Sequence, residues 1–461
     1  MKMLRINLHN TKRIVILLAV ALLVAAMILY LALLLTQKSF YRGVSVEGMD
    51  LSGMVPNQAK IYVSENLKGK YAKASIVLTY GENRWQFGSD EIGLKYLGDV
   101  AIDNAYRVGR SGNFINRLRE ILLLRAEAVN FIADTYFDRE RLENRLSQIK
   151  AQIDKEAVNA LVSYNNSHIS ISKEVIGRVL PVDKNVQLVE NHIKDRDFNP
   201  IALMVEDKVP NVVYNDIKEI GSVLSSFSTT FALTDSNRVH NIKLGSDRID
   251  GTILFPNDIF SMNEVLGPRT TANGYMEAPV IFRNELVPGT GGGVCQISST
   301  LYNTVLLSKI DVLQRTHHSW PLGYVEPGRD ATIAENYIDF KFQNSLNYPI
   351  SINAEVTGNK LTIRMLGKAR ENEEKVKLRP EILEVTEPEP EELVIDESVP
   401  EYEKVTVKEA RKGMRVILYR ETYNPQGELI NTEKISEDVY KPVRGESKVN
   451  QRYYSILQGS L

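Results

Sequence analysis

The sequence predicts a multidomain α+β protein that begins with a membrane-spanning helix. Three observations lead there. A chain of 461 residues is longer than a single hydrophobic core usually serves. Its N-terminal region carries 22 successive uncharged residues, Ile14 to Leu35, nearly all apolar. Beyond them, period-two alternation and helical periodicity take turns along the chain. Hydrophobic residues make up 43% and charged residues 25%, so each domain can bury a core. The net charge is −2 and no basic helix or nucleic-acid motif stands out, which argues against a nucleic-acid partner.

Residues 14–35 come first. At about 1.5 Å per residue they span roughly 33 Å, enough for the hydrocarbon core of a bilayer. Lys2, Arg5, Lys12 and Arg13 precede the segment, whereas Lys38 and Arg42 follow it. The positive-inside rule then leaves residues 1–13 as a cytoplasmic tail and places the bulk of the chain outside the cell membrane. A cleaved signal peptide is the alternative, but Leu-Leu-Thr-Gln-Lys follows instead of a small-residue cleavage site. The segment reads as an uncleaved anchor.

Residues 36–205 form the next domain. Val44 and Val46 alternate before glycine turns at Gly48 and Gly53, and a helix opens near Asn57. Ala74 to Tyr80 and Arg84 to Phe87 read as paired strands, and helical periodicity runs from Val100 to Lys150. A strand-rich stretch from Asn159 to Leu180 and a helix from Val186 to Ile193 follow. Three features, Gly48-Met-Asp-Leu-Ser-Gly53, Ala105-Tyr-Arg-Val-Gly-Arg-Ser-Gly112 and Gly177-Arg-Val-Leu, resemble the peptidoglycan-binding domain found upstream of VanW domains. Gly109 and Gly112 equally suit plain loops, and no binding residue is assigned there.

Residues 206–372 hold the most distinctive text. In order they read Phe255-Pro-Asn-Asp-Ile-Phe-Ser-Met-Asn263, Leu266-Gly-Pro-Arg-Thr270, Gly274-Tyr-Met-Glu-Ala-Pro-Val280, Gly289-Thr-Gly-Gly-Gly-Val-Cys-Gln296, His318-Ser319 and Gly328-Arg-Asp-Ala-Thr332. Together these resemble the VanW domain. Lys377 to Glu403 then contains ten acidic residues and four prolines, so residues 373–404 read as an extended solvated linker. The last stretch, 405–461, alternates in places and turns at Asn424-Pro-Gln-Gly427, suggesting a small β module. It faintly resembles the five-glycine domains that often follow VanW domains.

Cys295 is the only cysteine, which excludes an intramolecular disulfide and a multi-thiolate zinc site. With six histidines and no HExxH-type pair, no metal and no cofactor are expected. From Cys295 the chain reads as a helix, while Gly291 to Gly293 resist helix formation. Cys295 therefore falls in the first turn, where free N–H groups and the helix dipole stabilise a thiolate. Those N–H groups, with Gly292 and Gly293 permitting close approach, are candidates to hold an oxyanion. The bland alternative is a small buried hydrophobe.

His317 and His318 lie 22 and 23 residues further on, in what looks like a strand from Val312 to Trp320. Adjacent side chains of a strand point to opposite faces, so only one can face Cys295. The VanW resemblance selects His318, because the family's pattern ends there in His-Ser. Asp330 is the candidate to orient the imidazole, although a turn-capping role fits equally well. Arg269 and Arg329 are candidates to grip a substrate carboxylate, and Gln296 and Ser319 to line the site.

Some VanW-domain proteins are L,D-transpeptidases with a cysteine nucleophile. The His-Gly-Cys signature of the unrelated fold that usually carries this activity is absent here, so the activity follows from the resemblance alone. It implies attack of Cys295 on a tetrapeptide stem donor and transfer to the side-chain amine of a diaminopimelate acceptor, giving 3–3 cross-links in peptidoglycan. Two rival readings stay open. One is a non-catalytic wall-binding scaffold, the other a cysteine hydrolase of stem peptides.

Overall fold

The computed structural model describes residues 8–457 and 459, except 72–73, 283–284, 336 and 371–373. Lys2 and Arg5, on which the expected topology partly rests, lie outside the described residues. The chain divides into two compact units, Met1–Ala157 with Ile176–Val209, and Val158–Val175 with Pro210–Leu461. Both mix helices and strands, as the sequence predicts.

In the first unit, α1 (Leu8–Leu35) contains one stretch, Lys12–Leu35, long and apolar enough to cross a membrane. Its last residues, Leu34 and Leu35, pack against a core built from Phe40, Tyr41 and Val44 with β1 (Val44–Val46), α2 (Pro56–Tyr71), α3 (Gly98–Arg107) and α4 (Phe114–Leu123). A hairpin of β2 (Ser75–Tyr80) and β3 (Asn83–Gly88) extends through a parallel pairing with Ile201–Ala202. It is covered by α5 (Arg139–Ile153) and α6 (Val182–Asp195), whose apolar residues Leu142, Leu146, Val186 and Val189 meet Ile76 and Leu78. The helical pattern expected from Val100 to Lys150 is interrupted. Gly109 and Gly112 take positive φ, and two short strands, Val129–Phe131 and Asp134–Tyr136, precede α5. A glycine with no Cβ adopts that conformation without strain, which ends α3.

The second unit is built on an antiparallel sheet in which β4 (Ser222–Thr230) pairs with β8 (Lys360–Gly367), β8 with β7 (Ile350–Thr357), and β7 with Ile253–Leu254. Between β4 and β7 the chain forms α7 (Ser236–Ile249), the hairpin of β5 (Glu277–Phe282) and β6 (Glu285–Thr290), and α8 (Val294–Leu307). Helix α8 is buried along nearly its whole length, with Ile297, Leu301 and Val305 against Ile363 and Met365 of the sheet. A helix apolar on one face and hydroxyl-rich on the other can be buried only if those hydroxyls find partners. Ser298 and Ser299 find them in the loop at Ala331, and Thr300 and Thr304 at Thr229 of β4 and the Ile363 carbonyl of β8.

Residues 373–404 differ from the expected linker. Lys375–Thr386 forms β9, paired along its length with β10 (Gly413–Tyr423), which in turn pairs with β11 (Leu429–Tyr440). The acidic residues do not repel the chain into solvent, because cations meet them across the strands. Arg379 binds Glu381 and Glu421, Lys412 binds Glu387, and Lys404 binds Glu391. Pro380 is tolerated because β9 is an edge strand, where one face of the backbone needs no partner. Leu418 of β10 is fully buried in the core of the second unit.

Candidate active site

The approach to Cys295 explains its glycines. β6 leads into Gly291 and Gly293, both at positive φ, and Gly293 stands at the N-cap of α8 without a side-chain cap. A Cβ on Gly292 would lie 2.6 Å from the Pro279 carbonyl oxygen and 2.7 Å from the Ala278 carbonyl, so no side chain fits there. The hairpin thus packs directly onto the loop. Cys295 follows in the first helical turn, half-buried, with Sγ 3.6 Å from the Ile333 carbonyl oxygen. Among the described residues its backbone N–H has no acceptor. A free N–H at the positive end of a helix suits a developing oxyanion.

The hydroxyl face of α8 holds the opposing loop. Ser298 donates to the Ala331 carbonyl at 2.6 Å, the Ala331 N–H donates to Ser299 Oγ at 3.0 Å, and Asn303 Nδ2 donates to the Arg329 carbonyl at 2.7 Å. Asp330, between these anchors, is 1% exposed. Its Oδ2 accepts both the His318 backbone N–H and His318 Nδ1–H at 2.6 Å. An ionised carboxylate can only accept, so Nδ1 carries the proton. His318 Nε2 is buried and has no hydrogen-bond partner among the described residues. His318 and Cys295 are close enough to shift each other's pKa.

The charges follow from this packing. Burial opposes the Asp330 carboxylate, but His318, Arg315 and Tyr440 outweigh it and bring its pKa down to about 2. Burial likewise opposes a charged His318, yet its bond to Asp330 and the negative charge of the Cys295 thiolate raise it to about 9. Burial pushes the Cys295 thiol up, while His318 foremost, then the Ile333 backbone and Arg269, bring it below its ordinary value. The arrangement favours a thiolate–imidazolium pair oriented by a carboxylate.

Cys295, His318 and Asp330 therefore converge. The route to His318 differs from the one expected, since the strand covers only Asp311–Gln314 and His318 sits in the loop beyond it. What selects it is the bond to Asp330. His317 is half-buried and its Nδ1 lies 2.6 Å from the His318 carbonyl oxygen. Arg269 packs its Cβ and Cγ against Gly291, donates to the Gly267 carbonyl, and makes no ion pair among the described residues. Arg329 points elsewhere, donating to Asn303 and Glu326 and lying over the Phe227 ring. Gln296 is buried and bonded to Thr229, the Thr230 carbonyl and Arg238. Ser319 is exposed and makes no side-chain hydrogen bond among the described residues.

Four further groups escaped sequence reasoning. Tyr440 donates to Asp330 Oδ1 at 2.6 Å and accepts the Gly328 N–H at 2.7 Å. Arg315 donates to both oxygens of Asp438 at 2.7 Å and to the Asp330 carbonyl at 2.6 Å. Asp438 and Tyr440 share one face at the end of β11, two residues apart as strand geometry requires. Burial foremost, and then the charge of the Cys295 thiolate, hold the Tyr324 phenol well above the usual range. Among the described residues no group of three or more His, Cys, Asp or Glu could hold a metal ion.

The site thus sets a cysteine in the first turn of a helix beside a buried, hydrogen-bonded His–Asp pair. Residues 237–366 match the family described as "VanW like protein", and residues 85–202 match "Putative peptidoglycan binding domain". The chain is 34% identical over 229 residues to "Uncharacterized protein YoaR" of Bacillus subtilis (strain 168), covering 50% of this chain and 75% of that protein. It is 29% identical over 133 residues to "Vancomycin B-type resistance protein VanW" of Enterococcus faecalis (strain ATCC 700802 / V583), covering 27% of this chain and 48% of that one. The chain belongs to the VanW-like family and carries a peptidoglycan-binding domain, which indicates a cell-wall-related function. Solved structures of the HP0197 G5 domain and the IgA1 protease G5 domain align at 22% and 15% identity, covering 17% and 18% of this chain and 99% of each domain, with TM-scores of 0.11 and 0.13.

Proposed function

We propose that this protein is a membrane-anchored L,D-transpeptidase that forms 3–3 cross-links in peptidoglycan through a Cys295 thioester. The observation that carries the reading is the buried His318–Asp330 pair beside a thiol at the start of α8. The Cys295 thiolate attacks the carbonyl carbon of the third stem residue of a tetrapeptide donor, and the Cys295 N–H faces the oxyanion. Collapse breaks the amide bond to the terminal D-alanine, whose amine takes the proton from His318. Neutral His318 then removes a proton from the side-chain amine of an acceptor diaminopimelate. That amine attacks the thioester, an amide forms, and the thiolate leaves. Arg269, which makes no ion pair among the described residues, supports recognition of a substrate carboxylate. The apolar α1 and the peptidoglycan-binding domain support an extracytoplasmic site anchored in the membrane.

Incubation of the detergent-solubilised full chain with disaccharide-tetrapeptide, followed by mass spectrometry, tests the reading. Cross-linked dimers that disappear in Cys295→Ala are the expected result. Tripeptide without dimers would make the protein a hydrolase, and unchanged substrate would favour a wall-binding scaffold.

A further inference from the structure

Helix α4 presents an apolar arc that stays exposed among the described residues. At about 100° per residue, Phe114, Ile115, Leu118 and Leu122 share roughly a third of its circumference. Phe114 is 55%, Ile115 73% and Leu122 52% exposed, whereas Ile121 beside them is buried in the core. Isolated exposed apolar residues are ordinary, but a run of them on one ten-residue helix is a surface with a use.

The position of α4 says what that use is. Arg117 donates to the Leu35 carbonyl at 2.8 Å, occupying one of the unpaired carbonyls at the end of α1. Arg125 donates to Tyr30 Oη at 2.8 Å, and Tyr41 Oη donates to the Leu34 carbonyl at 3.0 Å. These bonds hold α4 beside the last two turns of the apolar helix, the depth at which an inserted α1 leaves the hydrocarbon. Charge agrees with this placement. Residues 107–127 carry Arg107, Arg110, Arg117, Arg119 and Arg125 against Glu120 and Glu127. Arg119 flanks the arc, and a long cationic side chain there reaches lipid phosphates while its stem stays apolar.

We propose that α4 is an interfacial helix that lies in the outer leaflet of an anionic phospholipid bilayer, with Phe114, Ile115 and Leu122 at the acyl boundary. The domain then rests on the membrane at a second point beside α1. The proposal rests on α1 spanning the bilayer, and the test separates the two. In full-length protein carrying Cys295→Ser, single cysteines at Ile115→Cys, Asn116→Cys and Leu22→Cys are labelled with an environment-sensitive fluorophore. Each is reconstituted into phosphatidylglycerol-containing vesicles with spin-labelled lipids as quenchers. Label at 115 is expected to emit to the blue of label at 116 and to be quenched at least about twofold more, by shallow rather than deep spin labels. Equal, water-like emission at 115 and 116 with Leu22→Cys strongly quenched overturns the proposal and leaves the anchor standing. An unquenched label at 22 overturns both.

Discussion

At the residue scale, the chemistry of Cys295 depends on groups that themselves depend on burial. His318 keeps a charge inside the protein because Asp330 accepts two of its N–H groups, and Asp330 stays ionised because Arg315 and Tyr440 face its other oxygen. Replacing His318 by Ala removes the largest influence lowering the Cys295 pKa and leaves only the weaker effects of the Ile333 backbone and Arg269 against burial. Alkylation of Cys295 by iodoacetamide at pH 6.5, read by mass spectrometry, is then expected to slow by about tenfold or more, since each pKa unit costs about a tenfold change in thiolate. A rate unchanged in His318→Ala would remove His318 from the activation of the thiol. Asp438→Ala leaves the Arg315 guanidinium buried without its bidentate partner, and a broken buried pair typically costs about 3–5 kcal/mol. Urea unfolding of the variant in detergent is expected to show a loss of unfolding free energy of that order, seen as a lower midpoint at unchanged m.

Among the elements, α8 was the most legible in advance. The glycines before it locate its start within a residue, because glycine conformation is a local property. Those glycines also serve a purpose that local rules do not reveal, since Gly292 is dictated by β5, whose carbonyls fill the space of its missing Cβ. Gly292→Ala is therefore expected to displace the hairpin or the start of α8. In a folded variant, Cys295 alkylation should lose its rate advantage at low pH, and wild-type reactivity would show that the close approach is dispensable. β9 was the least legible. It opens a stretch, 373–404, whose acidic residues and prolines suggest a solvated linker, and most β9 side chains are indeed exposed. What makes it a strand is β10, a partner about thirty residues further along that supplies both backbone bonds and opposite charges.

At the scale of the molecule, the site titrates as part of the folding equilibrium. The pKa of His318 rises from 6.5 to about 9 in the folded chain, so the stability it contributes is present below pH 6.5 and is lost as pH rises through about 9. Asp330 falls from 3.8 to about 2, so its contribution is present above pH 3.8 and is lost as pH falls towards 2. Denaturant unfolding is expected to show a decline between pH 6.5 and 9 that is reduced in His318→Ala, and an equal decline in both proteins would contradict the raised pKa. The sequence by itself determined the apolar N-terminal helix, the mixed α+β character, the family and the candidacy of Cys295, because each is written in neighbouring residues. His318 and Asp330 were named from motif order. Only the tertiary structure decided that Arg329 bonds to Asn303 and Glu326 and Gln296 to Thr229 and Arg238, that residues 375–386 belong to a sheet, and that Tyr440 reaches Asp330 from 110 residues along the chain. Burial and packing create those relations between distant segments, and no local pattern encodes them.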